Sequence, residues 1–468
     1  MSISTSADDK IFLNGVDALT GGHLTPPVGP EALVDLARTE FRQTPKSDQA
    51  RIRALSERTS QPHLGFDTKD LEDLTEARWG VIFFADEAEA VKQALEPLIR
   101  RRADQFGFRP PVFEYQPSWT AADFLARNGV APAFGEVEKV PYYLLIVGDP
   151  SRVPFRFQYE LGTEYAVGRL CFGNVDGYRA YVEGLIDYET STSAPTRRDA
   201  VFWATANEND RATELSSRLL VQPLYEDLNP ILGFRKQILL GPEATKANLT
   251  DVLTRPMPPA FLFTASHGLG FRQPDPQQPA LQGALVTQEW QPDTAITSER
   301  IFGGPDLSAS HNVRGLVHFA FACFGAGTPS QDDFAHSRNK VAPIIADQPF
   351  VASLPQQLLS RGALAFIGHV ERAWGFSFIG PTGAPQLTGF ERAIRRLLRG
   401  IPVGHALRDQ HDRALQLSHS LLEDLNELDY GKVISPETIA EKWMERNDAR
   451  AYVLIGDPGA RLRVKDMQ

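Results

Sequence analysis

From residue 79 onward, short apolar runs alternate with stretches in which apolar residues recur at helical spacing. The run WGVIFFA at 79–85 precedes one helical stretch, and YYLLIVGDP at 142–150 and EYAVGRL at 164–170 are further strand candidates. Strand-then-helix alternation predicts parallel strands joined by crossover helices. Residues 76–195 are therefore expected to form a smaller α/β subdomain.

The same alternation resumes after TSTSAPTRRD at 190–199, a polar stretch with one proline that fits a linker. Its strand candidates are apolar throughout, as in a sheet covered on both faces. They lie at 201–206, 237–241, 260–266, 316–322, 363–370 and 452–458. We predict a three-layer α/β domain over 196–468, with a mostly parallel central sheet and helices on both faces. Residues 1–75 show no clear strand and are expected to be an N-terminal extension or a pro-segment.

Composition narrows the possible partners and the location. The formal net charge of -11 argues against binding nucleic acid or an anionic membrane, because both require clustered Lys and Arg. No signal peptide is recognisable, and no apolar run approaches the ~18 residues that a membrane helix needs. Only two cysteines, Cys171 and Cys323, are present, too few for a disulfide scaffold. A cytoplasmic protein with free thiols is expected.

Known cofactor and metal motifs are missing from the sequence. It contains no HExxH, P-loop or dinucleotide fingerprint, and the spacing of His405, His411 and His419 is poor for one metal ion. We expect neither a cofactor nor a metal.

Two strand candidates end in residues that could perform chemistry together. AFLFTAS runs into His267 and Gly268, and LVHFAFA runs into Cys323 and a glycine-rich turn. If these strands are parallel neighbours, an imidazole and a thiol share one rim of the sheet, where ligands of open α/β sheets bind. A nearby imidazole favours the nucleophilic thiolate. The N–H groups of Gly268 and Cys323 are candidates for holding an oxyanion.

Other residues compete for these roles. His369 also ends an apolar strand, but Val-Glu-Arg follows it instead of a glycine loop, so it is the second choice for the base. His318 lies five positions before Cys323 in the same strand and is expected to face the other way and pack. Cys171 has no histidine near it in sequence and is interpreted as structural.

A strand ending in His-Gly and a later strand ending in Ala-Cys resemble the caspase-type cysteine peptidases, which include caspases, gingipains, separase and the bacterial CHAT proteases. YYLLIVGDPSRVP, EYAVGRL and AYVLIGDPGARL are most similar to segments of the gingipain type. The resemblance runs from about residue 140 to 465 and implies a caspase-like fold. It also implies that His267 is the general base and Cys323 the nucleophile, with the oxyanion held at Gly268 and Cys323.

The same resemblance implies a specificity pocket. An acidic residue before the Gly-Arg strand matches Glu160, and a tryptophan that walls the pocket matches Trp374. A carboxylate would pair with a guanidinium, and an indole would cover its flat face. Glu in place of the family's Asp adds a methylene that could shift preference toward Lys. Asp332 and Asp333 are alternative acids.

The sequence thus predicts an intracellular caspase-like cysteine endopeptidase that cleaves proteins after a basic residue, Arg preferred. The polar loop 328–348 contains Arg338 and Lys340, so activation by cleavage there, by the protein itself or by an upstream protease, is a further hypothesis. Bacterial stress or defence signalling is a role that such a family suggests. Two alternatives remain open: a catalytically silent scaffold that binds a partner, and a thiol-dependent hydrolase or transferase acting on small amides.

Overall fold

The computed structural model describes residues 15–22, 24, 28–58, 65–66, 70–131, 133–228, 233–308, 311–332, 334, 342–380 and 383–467. Ten strands of this part form one central sheet. In chain order they are β1 (Trp79–Phe84), β2 (Val112–Tyr115), β3 (Tyr143–Val147), β4 (Ala166–Leu170), β5 (Arg197–Ala204), β6 (Arg235–Leu240), β7 (Pro259–Ala265), β8 (Val317–Phe321), β9 (Ala365–His369) and β10 (Tyr452–Gly456).

The strands are ordered β2-β1-β3-β4-β10-β9-β8-β7-β5-β6 across the sheet. Every neighbouring pair is parallel except β9 and β10, which are antiparallel. The predicted α/β fold with a mostly parallel sheet is confirmed. β10 lies between β4 and β9, so the strands of the two predicted subdomains join in one continuous sheet.

Sixteen α-helices of the described residues surround this sheet and extend beyond it. They are α1 (Pro30–Gln43), α2 (Lys46–Arg58), α3 (Leu74–Ala77), α4 (Glu89–Phe106), α5 (Ala121–Arg127), α6 (Phe155–Gly162), α7 (Val175–Thr190), α8 (Arg211–Leu215), α9 (Gln222–Asp227), α10 (Lys246–Thr254), α11 (Gln278–Leu281), α12 (Ser353–Ser360), α13 (Thr388–Leu398), α14 (Val403–Ala406), α15 (Arg408–Asp429) and α16 (Pro436–Arg450). None of the described helices is long and apolar enough to cross a membrane.

Alternating residues of the strands enter two separate apolar cores. Ile82 and Ile146 pack on one face with Phe124 of α5, whereas Val81 and Val147 pack on the other with residues of α4 and α7. This alternation follows from the two-residue period of a strand, and it places helices on both faces of the sheet as predicted.

The described residues of the N-terminal segment, 15–22, 24 and 28–58, are folded against the rest of the chain. Val16–Asp17 form a short parallel pair with Leu269–Gly270, directly after His267. Helix α1 packs on α16, and α2 packs on α15 and α5. The short strand was not predicted, because two residues carry no readable alternation.

Candidate active site

His267 and Cys323 extend from neighbouring strands. β7 and β8 are adjacent and parallel, and their ladder ends with Ala265 opposite Phe321. His267 and Cys323 each follow two residues later, so the backbone carries both to the same rim of the sheet. Gly268 lies against the main chain of Cys323, since a Cβ on Gly268 would be 1.7 Å from the carbonyl oxygen of Cys323.

A carboxylate orients the imidazole. Nε2 of His267 lies 2.8 Å from Oδ2 of Asp210, which follows β5, the other neighbour of β7. The same carboxylate accepts hydrogen bonds from the N–H and the hydroxyl of Thr213 and thereby caps α8. A histidine held through one ring nitrogen presents its other nitrogen in a fixed direction.

Asp210 is charged in this arrangement. Burial alone would raise its pKa, but the charge of His267 and the hydrogen bonds from His267 and Thr213 outweigh burial and hold the pKa well below the usual value for Asp. Sequence reasoning missed Asp210. It lies 57 residues before His267, and the register of β5 on β7 brings the two together. Its only local signal is that of a helix cap, Asp three residues before Thr213.

The Cys323 thiol is buried in the described structure, with 3% of the residue exposed. Its Sγ lies 3.4 Å from the donating N–H of Ala373 and 3.8 Å from that residue's carbonyl oxygen. Burial raises the pKa of this thiol to about 11, although the N–H of Ala373 and the positive charge of Arg372 act in the opposite direction. Within the described residues no hydrogen bond joins Sγ to the His267 ring.

The two amides predicted to hold an oxyanion lie together. Neither Gly268 N–H nor Cys323 N–H donates to another backbone group among the described residues. The N–H of Gly268 also lowers the pKa of the Cys323 thiol. The geometry is therefore suited to an anionic sulfur or oxygen at this rim.

The turn after Cys323 has an unusual backbone. Phe324 and Glu371 both have positive φ, 57° and 77°, which is uncommon for residues other than glycine. The N–H of Phe324 donates to the carbonyl oxygen of Glu371 at 2.6 Å, and this hydrogen bond stabilises both left-handed residues. Such conformations cost of order 1 kcal/mol or more each and persist only where surrounding contacts enforce them. Here they hold Cys323 at the tip of β8.

Comparison with known proteins identifies the family. The sequence profile of peptidase family C25, the gingipain family, matches residues 81–463. The chain belongs to this family. It is a caspase-like cysteine peptidase and hence a hydrolase, as the resemblance of its motifs implied.

The solved structures that match this C25 peptidase share little sequence with it. One described only as a protease has 12% identity and a TM-score of 0.43, covering 82% of this chain and 78% of that one. The complex of Porphyromonas gingivalis RgpB pro- and mature domains has 14% identity and a TM-score of 0.45, covering 83% and 80%. The Saccharomyces cerevisiae separase–securin complex has 10% identity and a TM-score of 0.32, covering 68% and 15%. No curated protein is significantly similar.

A buried ion cluster lies beside Cys323 of the C25 peptidase. Arg372, the neighbour of Ala373, is bound by Asp332 through two hydrogen bonds of 2.8 Å each, and Glu371 lies 3.1 Å from the same guanidinium. All three side chains are buried. Asp332, one of the predicted acids, therefore binds Arg372, the residue next to the one that contacts the Cys323 Sγ. Its carboxylate is already paired with this arginine.

The other predicted pocket residues have different surroundings. Glu160 lies on α6, where its carboxylate accepts from Arg156 at 2.6 Å and from the N–H of Ala121 at 3.3 Å. Trp374 directly follows Ala373 and packs on Phe334. Asp333 lies outside the described residues, as do Arg338 and Lys340 of the predicted cleavage loop.

The competing histidines and the second cysteine have structural surroundings. Nε2 of His318 bonds the Thr264 hydroxyl at 2.9 Å within the sheet, and burial lowers its pKa to about 3. His369 is buried in β9 with its ring against Tyr452. Burial and, to a smaller extent, the negative charge of Asp149 raise the pKa of the Cys171 thiol to about 12. The described residues contain no group of three or more His, Cys, Asp or Glu that could hold a metal ion.

Proposed function

We propose that this C25 peptidase is an endopeptidase in which Cys323 and His267 form the catalytic dyad. The Cys323 sulfur attacks the substrate carbonyl carbon while His267 takes the thiol proton. The tetrahedral oxyanion is held by the N–H groups of Gly268 and Cys323. His267 then protonates the departing amine, and a water molecule that it activates hydrolyses the thioester.

One observation carries this proposal: the ends of β7 and β8 lie side by side, with a charged Asp210 on the far side of the imidazole. A carboxylate that fixes a histidine beside a cysteine is the arrangement that acyl transfer by a thiol requires. His369 also has a carboxylate near its Nε2, that of Asp448 at 3.3 Å, but both side chains are fully buried. His318 bonds the Thr264 hydroxyl within the sheet, and the Cys171 thiol contacts the carboxylate of Asp149.

For specificity we propose a basic side chain before the scissile bond, Arg preferred. Asp332 is the predicted acid linked to the nucleophile, through Arg372 and Ala373. A substrate guanidinium would pair with Asp332 as Arg372 does at rest, and Glu371 would keep Arg372 paired. Trp374 would line the same pocket. Glu160, already paired with Arg156, is the second candidate.

We also propose that the resting chain is a precursor activated by cleavage. The N-terminal segment contacts the site on two sides. Leu24 packs against Gly270 beside the Phe324 ring, and α1 packs in an apolar cluster that contains Trp374. Together with the buried thiol, these contacts support a closed state that must open before a peptide can bind. Cleavage by the protein itself, or by an upstream protease, would release it.

The proposal extends to the biological setting. Protein substrates follow from the family. A cytoplasmic role in bacterial stress or defence signalling rests on the resemblance alone.

The test is an assay of purified protein, untreated and after limited proteolysis, on fluorogenic peptides ending in Arg, Lys or Asp. We expect activity after proteolysis, highest on Arg, and none for Cys323→Ala. Cys171→Ala is the matched control, because it removes the other buried thiol and leaves the rim untouched; this variant is expected to keep its activity.

Each part of the proposal has its own contrary result. Activity that survives in Cys323→Ala would refute the nucleophile, and cleavage only after Asp would refute the basic preference. Full activity without proteolysis would refute the precursor. Inactivity of every preparation would favour the scaffold, and hydrolysis restricted to single-residue amides would favour an amide hydrolase.

A further inference from the structure

An arginine-lined groove of about 840 Å³ lies at the edge of the sheet remote from His267 and Cys323. Because the strands are parallel, their amino ends share this edge while the dyad residues follow their carboxyl ends. Arg197 and Arg198 begin β5, Arg235 begins β6, and Arg255 follows α10 just before β7. All four line the groove, which thus lies beside the linker singled out in the sequence.

Positive charge exceeds negative charge in this groove. Asp199 is shared by two arginines, 2.8 Å from Arg235 and 3.8 Å from Arg197. Asp251 lies 3.5 Å from Arg255, but its side chain is 74% exposed, so water weakens the attraction. Among the described residues, two carboxylates thus face four guanidinium groups, in a chain whose net charge is -11.

Arg198 has no anionic partner among the described residues. Its guanidinium lies 5.6 Å from the centre of the Phe234 ring, and its Nε is buried without a hydrogen-bond acceptor. The neighbouring Gly233 lies against this guanidinium, since a Cβ there would be in van der Waals contact with it, 3.7 Å from its central carbon. A buried donor without an acceptor is costly, and an incoming anion would supply the acceptor.

We propose that this groove binds a small soluble anion that carries two or more phosphate groups. Planar guanidinium groups match phosphate oxygens through paired hydrogen bonds, which a single chloride cannot reproduce. The volume is within the range of small-molecule sites, about 300–1,000 Å³. The acidic chain as a whole disfavours a long nucleic acid, which needs an extended basic surface.

The groove is connected through the sheet to the dyad. β5 begins in the groove and leads toward Asp210, and β7 begins beside it and leads to His267. A ligand that binds the amino ends of both β5 and β6 would therefore contact β5, the strand that leads to Asp210, the carboxylate partner of His267.

Binding can be measured without any peptidase activity. The full chain with Cys323→Ala is titrated with inorganic triphosphate at constant ionic strength, by calorimetry and by thermal unfolding. We expect saturable binding of one ligand per chain and a Tm that rises with triphosphate concentration. The double variant Arg198→Gln, Arg235→Gln is expected to bind about tenfold more weakly or worse.

The matched control removes the same charge elsewhere. Arg100 and Arg109 are 74% and 60% exposed and contact Glu96 near the β2 edge, at the other end of the sheet. Arg100→Gln with Arg109→Gln is expected to leave triphosphate binding unchanged. If the groove double variant does not fold, Arg197→Gln takes its place, because that side chain is 48% exposed and has one weak partner.

Three results would overturn the site: equal weakening in both double variants, binding that does not saturate, or tight binding of a single-stranded oligonucleotide without binding of triphosphate. Since the protein used has no nucleophile, failure of this proposal leaves the proposed peptidase function untouched, and the reverse also holds.

Discussion

At the scale of single residues, Asp210 serves two neighbours with one carboxylate. It caps α8 through Thr213 and holds Nε2 of His267. Asparagine at this position keeps an acceptor for the cap but offers an N–H toward the imidazole. The two roles of Asp210 can therefore be separated experimentally.

We predict that Asp210→Asn lowers kcat about a thousandfold with little change in Tm, because the imidazole loses its orienting carboxylate. The measurement is kcat and its pH profile on an Arg peptide after proteolytic activation. Thr213→Val is the control: it removes the hydroxyl from the carboxylate and should cost stability without changing the profile. An unchanged kcat in Asp210→Asn would show that Asp210 is only a cap.

Gly268 is required by close approach. We predict that Gly268→Ala abolishes activity and lowers the free energy of unfolding by about 3 kcal/mol or more, since its Cβ would lie 1.7 Å from the Cys323 oxygen. Gly173→Ala is the matched control, with no atom within 4 Å of the new methyl group. Chemical unfolding of both variants tests this, and equal stabilities would contradict the packing of His-Gly on the nucleophile.

The sequence was informative about residues that end strands and uninformative about their partners. His267 and Cys323 could be predicted because each follows an apolar run and precedes a glycine. Asp210 and Arg372 could not, since their roles depend on which strands are neighbours and on a buried ion pair. Glu160 was proposed from its position before a Gly-Arg strand, whereas its carboxylate contacts α5 and Arg156.

At the scale of elements, continuous apolar runs predicted nine of the ten central strands, and β2 was missed. Val112–Tyr115 is an edge strand with two exposed residues, one half-buried residue and one buried residue, so it lacks the apolar run of a central strand. The antiparallel pairing of β10 was also beyond reach, because strand direction depends on the whole topology.

Helices α1 and α2 each carry a carboxylate whose pKa is shifted, and the two shifts have opposite directions. Glu40 of α1 accepts hydrogen bonds from Arg446, Arg450 and the Trp443 indole, which overcome burial and lower its pKa well below the usual value. In α2, burial and, to a smaller extent, the negative charge of Glu160 raise the pKa of Asp48 to about 6. Near neutral pH, therefore, α1 is attached by an ion cluster while Asp48 weakens the attachment of α2.

We predict that Asp48→Asn stabilises the protein at pH 7.5 by about 1 kcal/mol, allowing for partial solvent screening. The raised pKa means that Asp48 favours the folded state below pH 4 and loses that contribution as the pH rises through about 6. The gain in the variant should therefore vanish at pH 4. Urea unfolding at both pH values measures it. Asp187→Asn, at a carboxylate that is 70% exposed, is the control; equal effects in both variants would contradict the assignment.

At the scale of the whole molecule, the N-terminal segment connects stability with access to the Cys323 thiol. Helix α1 packs in one apolar cluster with Trp374, and Ala373 before it holds the Cys323 sulfur. Loosening the packing of α1 should therefore make the Cys323 thiol more accessible. Cys171 provides an internal reference, because it is buried in the other half of the sheet and has no contact with this cluster.

We predict that iodoacetamide alkylates Cys323 slowly at pH 7.5 and faster as the pH rises toward about 11, because only the thiolate reacts. Glu40→Gln removes the charge that anchors α1, at a cost of about 1.5–3 kcal/mol in docking, and should speed Cys323 alkylation at pH 7.5 about tenfold or more. Cys171, with a pKa of about 12, should keep its rate. Mass spectrometry of both cysteines over time gives the measurement. Equal acceleration of the two would mean global unfolding, and no acceleration of Cys323 would refute the closed state.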